Sequence, residues 1–133
     1  MSYLAIHKAL TQSLIDLALG VPIAHQNKDF DPADLDTFVD VSLLPASTEV
    51  ISKDSLDEEK GIYQLSVYTK SNTNISTIYA LADTIEANYR HGLELTSGTQ
   101  KIFIDRTSRA GGRNSDGWFI IDLSINYIAD LLR

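Results

Sequence analysis

Phe119, Ile121, Leu123, Ile125 and Tyr127 recur at every second position and form the longest alternating run in the chain. A period of two puts these large apolar side chains on one face of a single extended strand. Such a strand belongs in a sheet, and its apolar face has to be covered. Two further runs share the period. Leu35, Val39, Val41 and Leu43 alternate with Asp36, Asp40 and Ser42, and Tyr63, Leu65 and Val67 alternate with Gln64, Ser66 and Tyr68. Both read as half-buried strands. Pro45 is expected to end the first of them. Val21–His25, Leu93–Leu95 and Ile102–Ile104 read as shorter strands, and Thr48–Ser52 as a weaker one. Short connections between the early strands suggest an antiparallel meander.

The cover comes from two segments with helical spacing. Ile6, Leu10, Leu14 and Leu17 form one stripe on a helix expected over Ser2–Leu19, capped by Ser2 and closed by Gly20 and Pro22. Ile75, Ile78, Ala82, Ile85 and Tyr89 form a second stripe. Ser71 to Asn74 offers its caps, Gly92 a left-handed end, and Arg90 and His91 the positive charge that suits a last turn. The first helix packs on the sheet or meets a partner. The element order gives an α+β fold, a mainly antiparallel sheet with two helices packed on one face. No linker, repeat or low-complexity stretch divides residues 1–133, so a single domain is expected. A chain of this length buries roughly two-thirds of its unfolded surface.

Composition excludes several classes of function. There is no cysteine, so disulfides and thiolate metal sites are ruled out. The formal net charge of −7 argues against a domain that grips phosphate backbones. Lys8 and Asp16 interrupt the N-terminal apolar pattern, so no secretion signal is expected there. No stretch reaches the ~18 apolar residues of a membrane span, and a soluble protein is expected. His7, His25 and His91 lack the spacing of a zinc motif. No Gly-x-Ser-x-Gly elbow occurs, and Ala110-Gly111-Gly112-Arg113 lacks the Lys-Ser/Thr of a phosphate cradle. No catalytic residue, cofactor or metal ligand is assigned, and the chain reads as a protein that is not an enzyme.

Two charged segments remain. Asp54 to Lys60 is turn-like and carries Asp54, Asp57, Glu58 and Glu59, without the calcium-loop pattern. Arg106 to Gly117 carries Arg106, Arg109 and Arg113 with three glycines, and is long for a hairpin loop. Both are ordinary solvated tips, or their opposite charges meet across a subunit boundary.

Several segments in order carry a resemblance: Ile23-Ala24-His25-Gln26-Asn27 with Phe30 and Pro32; Val39-Asp40-Val41-Ser42-Leu43-Leu44-Pro45; Gly61-Ile62-Tyr63-Gln64-Leu65-Ser66-Val67-Tyr68; Ala80 to Ile85; Gly117-Trp118-Phe119; and Ile125-Asn126-Tyr127. Together they resemble the tail-terminator-like family of tailed bacteriophages and prophages. The resemblance implies a tail-terminator-like fold and a subunit of a ring, commonly a hexamer. The ring docks on the last ring of the tail tube protein, stops polymerisation and presents a surface to the head–tail connector. It implies a place in the virion tail after assembly in the host bacterial cytoplasm. DNA passes through such a ring without specific binding. A ring needs head-to-tail contacts between unlike patches, for which the acidic segment and the three arginines are candidates. The alternatives are another head–tail joining (neck) protein, or a small-ligand-binding domain.

Overall fold

The computed structural model describes residues 3–25, 36–50, 56–70, 75–98 and 100–132. Two helices and seven strands follow in the order α1 (Tyr3–Asp16), β1 (Ile23–Ala24), β2 (Thr37–Val50), β3 (Leu56–Lys70), α2 (Ile75–Asn88), β4 (Glu94–Ser97), β5 (Gln100–Arg109), β6 (Arg113–Ser115) and β7 (Trp118–Leu132). The strands form one sheet in the spatial order β1-β2-β3-β7-β5-β4, with β6 also on β7. The sheet is antiparallel except for the β1–β2 pair. The expected α+β architecture is the observed one.

The long alternating run sits at the centre. β7 pairs with β3 along its full length and with β5 on its other side. Ile121, Leu123, Ile125 and Tyr127 turn to one face and are buried there, beside Tyr63, Leu65 and Val67 of β3, Val39 and Val41 of β2, and Ile102 and Ile104 of β5. Ile6, Leu10 and Leu14 of α1 join the same cluster, as do Ile78, Ala82 and Ile85 of α2. Both helices therefore cover one face. Each fully buried Leu or Ile contributes about 1.5–3 kcal/mol. Buried hydroxyls fix how the helices lie. The Tyr63 and Thr11 hydroxyls are 2.7 Å apart, and Tyr89 donates to the Leu10 carbonyl at 2.7 Å. Burial pushes the Tyr63 phenol up to about 12, although the Thr11 bond offsets part of it, and burial raises Tyr89 as well. Both phenols therefore remain neutral.

Several boundaries differ from expectation, each for a physical reason. α1 stops at Asp16, and Ala18 and Gly20 take left-handed backbone conformations. Ile75 opens α2 and is half exposed, so the stripe that reaches the core starts at Ile78. β1 runs parallel to β2, not as the first strand of a meander. Parallel neighbours need a return of about a dozen residues, and residues 25–36 supply that length. The polar stretch expected as a loop over Gln26–Ala33 lies outside the described residues, as do the caps Ser71 to Asn74. Pro45 does not end β2. It stands at a register shift between Pro45 and Ser47, where the missing N–H is tolerated.

The two charged segments also differ. β3 starts at Leu56, so Asp57, Glu58, Glu59 and Lys60 are strand and not turn. Pairing with β2 on one side and β7 on the other outweighs their weak strand preference. Arg106 to Gly117 is not a loop either. β5 continues to Arg109, and β6 hands over to β7 through Asp116 and Gly117, with φ of 50° and 84°. Two successive positive φ values define the tight hairpin whose twist matches its strands.

Candidate assembly interface

The face of the sheet opposite the helices can be read off the register in rows. Phe38, Tyr68, Ile120 and Arg113 stand side by side at one end. Asp40, Ser66 and Asp122 follow, and then Ser42, Gln64, Ser124 and Ser108. The next row is Leu44, Ile62, Asn126 and Arg106, and beyond it come Lys60, Ile128 and Phe103. The face thus passes from an aromatic end, through a polar band, to an apolar shelf with cations. At the aromatic end the Phe38 and Tyr68 rings stack at 4.5 Å, and Trp118 meets Phe38 edge-on at 5.1 Å. On the shelf Leu44 is 46% exposed and Phe103 37% exposed.

The three arginines do not lie together. Arg109 stands opposite Leu123 and so falls on the helix-covered face. Its Nη2 donates to Asp83 at 2.7 Å and its Nε to Glu86 at 2.9 Å, both on α2. These bonds raise the Arg109 pKa, so the charge is permanent. Beside it, the Thr107 hydroxyl donates to the Tyr89 carbonyl at 2.8 Å. This end of β5 holds α2 against the sheet.

Arg113 stands on the opposite face, where its Nε donates to Asp122 at 3.1 Å. Asp122 also accepts from the Ser66 hydroxyl at 2.6 Å. Burial pushes the Asp122 carboxyl upward, but the Ser66 and Arg113 bonds together outweigh it and hold the carboxyl below the usual range. Burial raises neighbouring Asp40, and its bond to the Val41 backbone offsets this only in part. Arg106 pairs with Asn126, is exposed, and makes no ion pair among the described residues.

The acids are also divided. Asp54 lies outside the described residues. Asp57 and Glu58 stand in register with Val50 and Glu49 of β2, and with Leu131 and Asp130 of β7. Glu59 is fully buried at 0% exposure, opposite Ala129. The structure therefore leaves Arg106 exposed on the bare face, holds Arg109 half-buried against α2, and buries Glu59.

Two features of the site were not anticipated from the sequence. One is the extra residue Asp105 in β5, where the register steps from Ile104–Tyr127 to Arg106–Asn126. No residue type announces it. The other is the Asp116-Gly117 turn, for which the dipeptide ahead of a long alternating run is a recognised signal. Among the described residues no three metal-ligating side chains converge, and no helix is long and apolar enough to cross a membrane.

Two solved structures share this fold. One, a protein without a functional name, has a TM-score of 0.79 at 20% identity, with 100% of this chain and 99% of that chain covered. The other is a chain from the virion of a native gene transfer agent particle, with a TM-score of 0.69 at 20% identity and coverage of 98% and 100%. No curated protein matches the chain. The sequence profile of the phage tail terminator protein matches residues 5–127, from α1 through most of β7. The chain therefore belongs to the family of phage tail terminator proteins, structural components of the virion tail.

Proposed function

We propose that this chain is the subunit of a ring, probed first as a hexamer, that caps the tail tube at full length. The ring stops further addition of tube protein and offers its other side to the head–tail connector. It assembles in the host cytoplasm and carries out no covalent chemistry. The observation that carries this reading is the family match over residues 5–127. The subunit's architecture supports it. One sheet face is closed by helices and makes the core, while the other carries an apolar and cationic shelf that suits contact with neighbours. Ring closure is head to tail, so it needs unlike patches. Arg106 supplies exposed charge for one such patch, while Arg109 and Arg113 are held in ion pairs within the chain and Glu59 is buried. The net charge of −7 keeps the ring from holding the DNA that passes through it.

The test is tail length. Phage lacking this protein should make tails of irregular, excessive length that do not join heads, as seen by electron microscopy. Supplying the chain in trans should restore one length and joining. Purified protein should bind the ends of isolated tail tubes. Binding to the connector alone, with normal tail length in its absence, would move the chain to the neck and refute capping.

A further inference from the structure

The outer half of β5 does not choose its own register. Up to Ile104 the strand is fixed by its apolar residues, since Ile102 and Ile104 are buried while Lys101 and Phe103 are exposed. Beyond it the sequence is Arg106-Thr107-Ser108-Arg109, a cation at each end and two hydroxyls between. In the observed pairing Asp105 is an extra residue, so Arg106 stands opposite Asn126, Thr107 opposite Ile125, Ser108 opposite Ser124 and Arg109 opposite Leu123. Thr107 and Arg109 therefore take the covered face, and Arg106 and Ser108 the bare one. A regular strand through Asp105 would shift each by one position and exchange the two sets. In either register each face receives one hydroxyl and one arginine. A segment that is polar on both sides has no hydrophobic pattern to hold its register. The shifted form would bring Arg109 opposite the Asp122 carboxylate. The glycines of Ala110-Gly111-Gly112, which joins β5 to β6, give the freedom to take up one residue.

What distinguishes the two registers is α2 and the turn that follows it. Gly92 has φ of 83° and donates its N–H to the Ile104 carbonyl at 2.8 Å, and the Ile104 N–H donates to the Leu93 carbonyl at 2.9 Å. His91 Nδ1 donates to the Asp105 carbonyl at 2.6 Å. These bonds hold β5 at the point where the extra residue enters. Farther along, the Thr107 hydroxyl donates to the Tyr89 carbonyl at 2.8 Å, and Arg109 donates to Glu86 at 2.9 Å and Asp83 at 2.7 Å. α2 therefore offers a backbone carbonyl first and two carboxylates beyond it. The covered face of the bulged strand presents a hydroxyl first and a guanidinium beyond it, which matches. The shifted strand would present Arg106 first and Ser108 beyond it. A serine hydroxyl is too short to bridge the two carboxylates that a guanidinium spans. The faces carry the same groups in either register, and α2 reads their order.

We propose that the outer half of β5 is a two-register element and that α2 selects the bulged register, which sets Arg106 on the bare face and Arg109 under the helix. His91 is the positioning residue at the junction. Drawing the C-terminal turn of α2 away from the sheet exchanges the two arginines between faces, so the charge shown on one side of the sheet is coupled to helix packing on the other. This does not rest on the ring reading.

The chain has no cysteine, so thiol pairs can be introduced to read the register. Ser108→Cys with Ser124→Cys reports the bulged form, in which these residues are directly opposite. Thr107→Cys with Ser124→Cys reports the shifted form, which would bring residue 107 opposite 124 on the bare face. A short thiol-to-thiol cross-linker is applied, the product within one chain is measured by mass spectrometry, and circular dichroism checks folding. In the otherwise native chain the first pair should cross-link well and the second poorly. Asp83→Ala, Glu86→Ala and His91→Ala together remove the selecting side chains of α2 and leave β5 unchanged. In that background the first product should fall at least about threefold and the second rise as much. Deleting Asp105 as well leaves the bulged-face assignment as the regular one and should restore the first product. Failure of the first pair in the native chain, unchanged yields in the triple variant, or a fall of the first product without a rise of the second would each overturn the proposal. A folded chain lacking Asp105 that does not recover the first product would also overturn it.

Discussion

The covered and bare faces of this sheet are made from the same strands, one residue out of step. On β3, Tyr63, Leu65 and Val67 are fully buried, while Ile62, Gln64, Ser66 and Tyr68 between them are half-buried. On β5 the irregularity at Asp105 reverses that assignment within one strand, so that Arg106 falls on the bare face and Arg109 on the covered one. Charge of one sign thus does two jobs. On the covered face it clamps a helix, and on the bare face Arg106 stands exposed. Sequence distance does not separate these roles, but register does.

The widest separation between the faces should appear in stability. Leu65→Ala removes a fully buried side chain at the sheet centre and should cost about 2–5 kcal/mol. Gln64→Ala, one residue away on the bare face, should change stability by less than ~0.5 kcal/mol. Urea unfolding of the two variants measures this directly. Similar losses would mean that the bare face is as constrained as the core.

Gly61 should come next. A Cβ added there would overlap the Tyr127 phenol, whose ring is itself buried. β3 is held at this position between β2 and β7, so neither backbone has room to retreat. Gly61→Ala should therefore cost about 1–3 kcal/mol. Combining it with Tyr127→Leu should recover part of the loss, because the two changes act on one space. A simple sum of the two single losses would show that the glycine is needed for another reason.

The arginines then sharpen the comparison. Arg109→Gln breaks two ion pairs to α2, in a site open enough to solvent that about 1 kcal/mol is the expected loss. The loss should shrink in high salt, since screening already weakens the pairs. Arg113→Gln, on the bare face, should lower stability less than Arg109→Gln and should raise the pH at which Asp122 protonates. Asp122 sits below its ordinary value, so its stabilisation is present above that value and is lost as pH falls through the folded one. Equal losses from the two arginines would collapse the distinction between strut and surface.

Much of this was legible in advance because burial follows period. The runs Tyr63–Leu65–Val67 and Ile121–Leu123–Ile125–Tyr127, and the stripe Ile78–Ala82–Ile85–Tyr89, are all buried as their spacing implies, with Phe119 partly buried at the edge. The charged segments depart from expectation because pairing outweighs composition there. Asp57 and Glu58 look like turn residues, yet strands on both sides hold them extended. The three glycines between Arg106 and Gly117 suggest one long loop, but they do not act together. The informative pair was Asp116-Gly117, which closes the hairpin by itself. The parallel β1–β2 pair and the irregularity at Asp105 have no local signature. They arise from how distant segments meet, which a single window of sequence does not contain.

The smallest expected effect lies at the rim of the covered face. His7 stands on α1 with its ring edge-on to Tyr63 at 6.2 Å, and its Nε2 is buried with no hydrogen-bond partner among the described residues. Burial lowers its pKa, and the charge of His25 adds to that. The protonated ring is thus disfavoured in the folded state. As pH falls below 6.5 the unfolded chain takes up this proton before the folded one does, so stability falls until the folded pKa is passed. Well above 6.5 His7 contributes no pH dependence. His7→Phe keeps an aromatic ring against Tyr63 and removes the titration. Comparing the two proteins by urea unfolding between pH 7.5 and 5 isolates the effect from Asp40 and Asp122, which are common to both. The gap should favour the variant increasingly on the acid side. A gap that stays constant across the range, or grows on the alkaline side, would show that His7 is solvated and that the covered face ends before it.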